Sequence, residues 1–125
     1  MLSRLRRKKI LLLDDDPSMQ RLVSVLLERA GYRVDVFLTG REALSALSGE
    51  KYDALLLDLM MPHEGGNTII RHLRKSNAAM LQRVLLVTGS PEAVLAPLAK
   101  EVAGVVKKPF EPDELVGAVR RVAGK

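Results

Sequence analysis

The chain has 125 residues, of which 47% are hydrophobic, enough to form one domain with a substantial core. It has no cysteine and only two histidines, which excludes disulfides and thiolate zinc sites and leaves oxygen ligands for any metal. The net charge of +5 lies mainly at the two termini, and two Phe, two Tyr and no Trp provide no obvious platform for stacking nucleic-acid bases.

Short apolar runs alternate with amphipathic stretches along the chain, a pattern typical of an α/β fold. Each run is too short for a helix and most are continuous, which predicts buried parallel strands. The five predicted strands are residues 10–13, 34–37, 54–57, 84–87 and 104–106. Helical crossovers between them predict a doubly wound, five-stranded parallel sheet with helices on both faces.

The first predicted helix has the clearest boundaries. We interpret Asp16 as its N-cap rather than as a metal ligand, with Pro17 at the first helical position and Gly31 closing the helix. Further helices are predicted over residues 42–47, 69–73 and 93–100 and after Pro112. Because Pro97 removes a backbone hydrogen bond, we expect the fourth helix to be short, kinked or broken there.

Polar groups follow four of the predicted strands at their carboxyl ends. They are Asp14 and Asp15 after the first strand, Asp58 after the third, Thr88 after the fourth and Lys108 after the fifth. Ligands of doubly wound sheets bind at this edge. Converging carboxylates repel one another, so either some are protonated or a cation neutralises them, and a hard divalent ion is the simpler answer. A carboxylate there could act as a nucleophile toward phosphorus.

Four motifs in these positions resemble bacterial response-regulator receiver domains. They are LLDDDP at residues 12–17, LLDLMMP at residues 56–62, Thr88 with Gly89, and KPF at residues 108–110. The resemblance covers nearly the whole chain. It implies a flavodoxin-like fold with strand order 2-1-3-4-5, in which residues 9–125 form the receiver domain and residues 1–8 a basic N-terminal extension.

The resemblance also implies roles for the residues at the strand ends. Asp58 would be the phospho-acceptor. Asp14, Asp15 and Asp58 would bind Mg²⁺ together with the backbone carbonyl of Met60. Thr88 would contact the phosphoryl group through its hydroxyl, and Lys108 would supply the opposite charge.

Three other polar residues are given structural interpretations. Asp53 lies five residues before Asp58, roughly 17 Å away at the opposite end of the third strand, and is interpreted as a solvated loop residue. Lys107 and Lys108 cannot both face the crevice if the strand alternates, so we expect Lys107 to face solvent. His63 is interpreted as a surface histidine without a role in the site.

The sequence departs from the family pattern in the region that reads out phosphorylation. Val105 stands where the family usually carries an aromatic residue, so the usual ring rotation coupled to Thr88 is not expected. Pro97 interrupts the fourth helix. The apolar stretch 93–98 predicts an unusual partner, or a homodimer, at the face formed by the fourth helix, fifth strand and fifth helix.

We therefore predict a phosphorylation-dependent switch of a two-component or phosphorelay system, which receives its phosphoryl group from a histidine kinase or phosphotransfer protein. It would catalyse its own phosphorylation and dephosphorylation without being a conventional enzyme. One alternative is a phosphate-independent pseudo-receiver that binds proteins. A second is a magnesium-dependent phosphohydrolase, which would need an acidic residue where Met60 stands.

Location and further partners follow from weaker signals. No apolar run approaches the ~18 residues of a membrane span, so we expect a cytoplasmic protein that does not bind membranes. We do not expect this domain alone to bind nucleic acid, since only its basic termini suggest it. The sequence leaves open whether an effector domain follows Lys125.

Overall fold

The computed structural model describes residues 7–62 and 64–124, so His63 and most of the basic extension lie outside the described residues. The strands are β1 (Lys9–Leu13), β2 (Arg33–Phe37), β3 (Ala54–Leu57), β4 (Val84–Thr88) and β5 (Gly104–Lys107). The α-helices are α1 (Pro17–Arg29), α2 (Gly40–Gly49), α3 (Gly66–Ser76), α4 (Glu92–Ala99) and α5 (Pro112–Ala123). A 3₁₀ helix over Ala78–Arg83 precedes β4 and was not predicted.

All five strands are parallel, and their order is β2-β1-β3-β4-β5, which confirms the predicted fold. In the central pair, Leu11 lies beside Leu55 and Leu13 beside Leu57, so the two strands end level with each other. This register places the residues that follow β1 and β3 side by side.

The core forms two layers because successive strand side chains point to opposite faces of the sheet. Ile10, Leu12 and Leu56 pack on one face against α1 and α5. Leu11, Leu13 and Leu57 pack on the other face with residues of α2, α3 and α4. The prediction of fully buried strands holds for β1, β3 and β4 apart from partly buried Lys9. It is wrong for β2 and partly for β5, because edge strands are covered less completely.

The helix boundaries follow local chemistry. Asp16 is the N-cap of α1 as predicted, and its carboxylate accepts hydrogen bonds from the backbone N–H groups of Ser18 and Met19. Gly31 follows this helix with a φ of 101°, a conformation that glycine adopts without strain. Helix α4 has only eight residues with Pro97 inside it, which confirms that it is short. In the described part of the chain, no helix has both the length and the apolarity to span a bilayer.

Candidate functional site

The acidic residues predicted to converge do lie together. The backbone N–H of Asp58 donates to the carbonyl of Leu13 at 3.0 Å, which continues the β1–β3 pairing one residue beyond the strands. Carboxylate oxygens of Asp14, Asp15 and Asp58 all lie within 4.8 Å of one another. Asp14 and Asp58 are 1% and 5% exposed, whereas Asp15 is exposed to solvent. The cluster therefore has two buried carboxylates and one at its mouth.

Both buried carboxylates are fixed by the backbone and by the same lysine. Oδ1 of Asp14 accepts the N–H of Asp16 at 2.9 Å, and Oδ1 of Asp58 accepts the N–H of Met60 at 3.0 Å. Oδ2 of each carboxylate accepts from Nζ of Lys108, at 2.8 Å for Asp14 and 3.4 Å for Asp58. One ammonium thus bridges the two buried acids.

Lys108 reaches the acids from the end of β5. Its backbone N–H donates to the carbonyl of Thr88 at 3.0 Å, and its side chain is 19% exposed. Burial by itself lowers the pKa of Lys108, but the hydrogen bond with Asp14 and the charges of both aspartates outweigh it and raise the pKa above 10.5. Lys107 instead faces solvent near Glu92, as the alternation predicted.

Thr88 ends β4 and is fully buried. Its Oγ1 lies 3.1 Å from Oγ of Ser90 and accepts the Ser90 backbone N–H at 3.3 Å. Sequence reasoning missed Ser90. The available signal was its position two residues after Thr88 at the end of a strand, where a threonine oxygen commonly accepts a backbone N–H.

The loop after β3 packs directly against the backbone of Asp58. The N–H of Gly66, the first residue of α3, donates to the carbonyl of Asp58 at 2.9 Å. A Cβ at Gly66 would lie 2.9 Å from that oxygen and 3.1 Å from the Leu57 Cβ. The absence of a side chain at Gly66 therefore lets the loop backbone approach Asp58 closely.

The donor set suits a hard divalent cation. Three carboxylates and one ammonium leave a net negative charge in a partly buried crevice, and carboxylate oxygens are the ligands that Mg²⁺ prefers. The backbone N–H of Met60 binds Asp58, which holds Met60 beside the acids, and the residue as a whole is 60% exposed. The residues present fit the ion, and the role of the Met60 carbonyl as a ligand stays a prediction.

Asp53 differs from its sequence interpretation. It lies before β3, far from the acidic cluster as predicted, but it is not a solvated loop residue. Its carboxylate accepts the backbone N–H of Lys9 at 2.7 Å, and its own N–H donates to the Lys9 carbonyl at 2.7 Å. Asp53 thus joins the beginnings of β1 and β3. Its sequence position did not indicate this contact, because Lys9 and Asp53 come together only when the two strands pair.

Val105 occupies the predicted position in β5 and packs, half-buried, against the same core layer as Leu86, Leu95 and Leu98. Its effect on switching stays a prediction.

Residues 10–120 match the family model described as the response regulator receiver domain. The chain belongs to this family. Among curated relatives, the DNA-binding response regulator MtrA of Mycolicibacterium smegmatis is 35% identical over 114 residues, covering 91% of this chain and 50% of that protein. The transcriptional regulatory protein TcrA of Mycobacterium tuberculosis is 31% identical over 92% of this chain and 46% of its own. The chain therefore spans about half the length of these relatives.

Solved receiver structures agree with this assignment. Chemotaxis protein CheY4 of Vibrio cholerae superimposes with a TM-score of 0.83 at 29% identity, covering 93% of this chain and 98% of CheY4. The response regulator TrrA of Thermotoga maritima, solved in complex with Mg²⁺-BeF, gives a TM-score of 0.81 at 29% identity, covering 92% and 98%. Both similarities extend over the whole receiver fold.

Proposed function

We propose that Asp58 is the phospho-acceptor of this receiver domain and takes its phosphoryl group from a phosphohistidine on a sensor kinase or phosphotransfer protein. One observation carries the proposal: Asp58 is the buried carboxylate that shares Lys108 with Asp14 while the cluster stays open to solvent at Asp15. An attacking oxygen of Asp58 therefore sits beside the positive charge that the transferred oxygens need.

The transfer exchanges one bond for another. A carboxylate oxygen of Asp58 forms a bond to phosphorus as the phosphorus–nitrogen bond of the donor breaks, and that electron pair returns to the histidine ring. As negative charge moves from the Asp58 carboxylate to the phosphoryl oxygens, the Lys108 ammonium would pair with those oxygens. Lys108 is in position to do so because it already contacts that carboxylate. Mg²⁺ held by Asp14, Asp15, Asp58 and the Met60 carbonyl would neutralise the acids and the phosphoryl oxygens.

The switching step concerns Thr88. Its hydroxyl is paired with Ser90 in this structure, so turning toward a phosphoryl group on Asp58 requires exchange of that hydrogen bond for a stronger one to an anion. Phosphorylation would shift the population toward the turned conformation, because the Thr88 hydroxyl would bind the phosphoryl group only in that conformation. We propose that partners sense it at the face formed by α4, β5 and α5, which lies next to Thr88 along the sheet.

The phosphohydrolase alternative receives no support from the site. A second acidic residue would be needed two positions after Asp58, and Met60 occupies that position with its side chain in solvent. The protein would therefore catalyse reactions of its own Asp58 rather than turn over an external substrate. A phosphate-independent pseudo-receiver remains the competing function for the experiment to decide.

The test is the intact mass after incubation with acetyl phosphate and Mg²⁺. Wild type should gain one phosphoryl group, and a chelator should prevent the gain. Asp58→Asn should gain none. Asp53→Asn is the matched control, because it makes the same substitution at the other end of β3; it should be modified like wild type.

Each other outcome has a definite meaning. Absence of modification in wild type would reject the switch in favour of the pseudo-receiver. Modification that persists in Asp58→Asn would show that another residue is the acceptor. Modification that survives chelation would remove Mg²⁺ from the proposal.

A further inference from the structure

The two ends of the sheet carry opposite charge. The end where strands begin and α-helices finish, here called the basic end, comprises residues 7–9, 28–33, 50–53, 74–83, 100–103 and 120–124. It holds twelve Lys or Arg and four Asp or Glu, a net charge of +8. The site end comprises residues 14–17, 38–42, 58–62, 64–66, 88–92 and 107–114. It holds ten acidic and three basic side chains, a net charge of −7.

The few acids of the basic end are largely occupied by internal partners. Glu50 pairs with the side chain of Lys9. Glu101 accepts two hydrogen bonds from the Arg74 guanidinium, at 2.7 and 2.5 Å. The carboxylate of Asp53 accepts the Lys9 backbone N–H. Most of the positive charge therefore remains available to a partner.

Helix stabilisation does not account for all of this charge. Basic residues in the last turn of a helix interact favourably with its dipole, which explains Arg29, Arg74 and Arg121. It does not explain Arg33, Lys51 and Arg83, which lie outside the α-helices and are exposed. Lys51 and Arg83 also line a cleft of about 430 Å³ at this end.

We propose that the basic end binds the phosphate backbone of double-stranded nucleic acid. Seven of its twelve basic residues are arginines, whose guanidinium groups can contact phosphate oxygens in pairs. Tyr32 and Tyr52 are both buried, so this end offers no tyrosine for stacking the bases of single strands. Nucleic-acid binding was not expected from the sequence, in which the net charge lies mainly at the termini, whereas folding brings together basic residues from six segments.

An anionic membrane fits this surface less well. Interfacial binding combines charge with buried apolar area. Throughout residues 7–62 and 64–124, the exposed large hydrophobic side chains lie along α1 or toward the site end: Leu22, Val25, Val36, Leu38, Met60 and Val94. Binding to the phosphates of a duplex does not require exposed apolar side chains of this kind.

The same charge separation predicts orientation. The acidic site end would be repelled by the duplex and would face solvent, open to a phosphoryl donor. The two ends are separated by the length of a five-residue strand, roughly 17 Å. This exceeds the screening length of about 8 Å at physiological salt. A charge change at Asp58 should therefore alter duplex binding by less than about twofold.

The test measures binding of a fluorescent 20-base-pair duplex by anisotropy across a salt series. The variant Lys51→Gln/Lys75→Gln/Arg121→Gln removes three exposed charges from the basic end. The matched control Arg21→Gln/Arg41→Gln/Arg71→Gln removes three exposed charges from elsewhere. We expect the first to lose at least about tenfold in affinity near 0.1 M salt and to lower the salt slope by roughly two to three. The control and Asp58→Asn should stay within about twofold of wild type.

Thermal melting by circular dichroism checks that both triple variants remain folded. Equal losses in the two would show an effect of overall charge and would overturn the proposal. So would the absence of duplex binding at 50 mM salt. Equal or tighter binding to polyglutamate, single-stranded DNA or anionic phosphatidylserine vesicles would reject duplex as the preferred partner.

Discussion

The acidic site and the α4–β5 region belong to the same domain, but the elements that form them are buried to different extents. Asp14 and Asp58 follow β1 and β3, whose apolar residues are buried on both faces. Helix α4 has only one buried residue, Leu95, and a proline inside its eight residues. The proposed phosphorylation site thus follows rigid central strands, whereas the proposed readout face includes a helix with few buried residues, which we expect to shift at lower cost.

Removing a leucine from each region tests this difference most strongly. Leu57 and Leu95 are both buried in the same core layer. We expect Leu57→Ala to lower the free energy of unfolding by about 4–5 kcal/mol and Leu95→Ala by about 2–3 kcal/mol, because α4 can move to fill its cavity. Chemical denaturation measures both losses. Equal values would mean that α4 is as firmly packed as β3.

Lys108→Met tests the contact that joins the end of β5 to the acidic site. The bridging ammonium is lost, so phosphorylation by acetyl phosphate should slow by roughly 100-fold. Lys107→Met, its exposed neighbour, should change the rate by less than about twofold. Equal rates in the two variants would remove Lys108 from the mechanism.

The raised pKa of Lys108 also predicts how stability depends on pH. Its pairing contributes stability below pH 10.5, and this stability is lost only as the pH rises above the folded-state pKa of Lys108.

Gly66→Ala tests how closely the loop holds Asp58. The added Cβ would contact the Asp58 carbonyl at 2.9 Å, so we expect a loss of about 1–3 kcal/mol in unfolding free energy together with slower phosphorylation. Gly49→Ala serves as the control, since nothing lies within 4 Å of its Cβ position at the end of α2. The idea fails if both variants have wild-type stability and rate.

Pro97→Ala should stabilise α4 and so reduce the difference in local stability between α4 and the strands that carry the acidic site. It restores a backbone N–H and removes the proline ring from α4, so amide exchange in that helix should become slower, by the equivalent of about 1 kcal/mol. The phosphorylation rate should stay unchanged, because Pro97 contributes no contact to the acidic cluster among those described. Faster exchange would show that the proline stabilises α4.

Much of the fold was predictable because its signals are local. Apolar runs with intervening amphipathic stretches identified all five strands and all five α-helices, and Asp16 with Pro17 identified the start of α1. The convergence of Asp14, Asp15 and Asp58 followed from parallel topology alone. The 3₁₀ helix was not predicted. The second strand was predicted to be buried from its apolar run alone, although the strand order implied by the family resemblance places it at an edge, where it is partly exposed.

By itself, the sequence determined the doubly wound architecture and the group of polar residues at its strand ends. Only the tertiary structure decided that one ammonium bridges Asp14 and Asp58 and that Asp53 binds Lys9, 44 residues away in the chain. It also gathered six segments into one basic end. These features depend on distances between residues far apart in the chain, and such distances are set only when the strands pair and the helices pack.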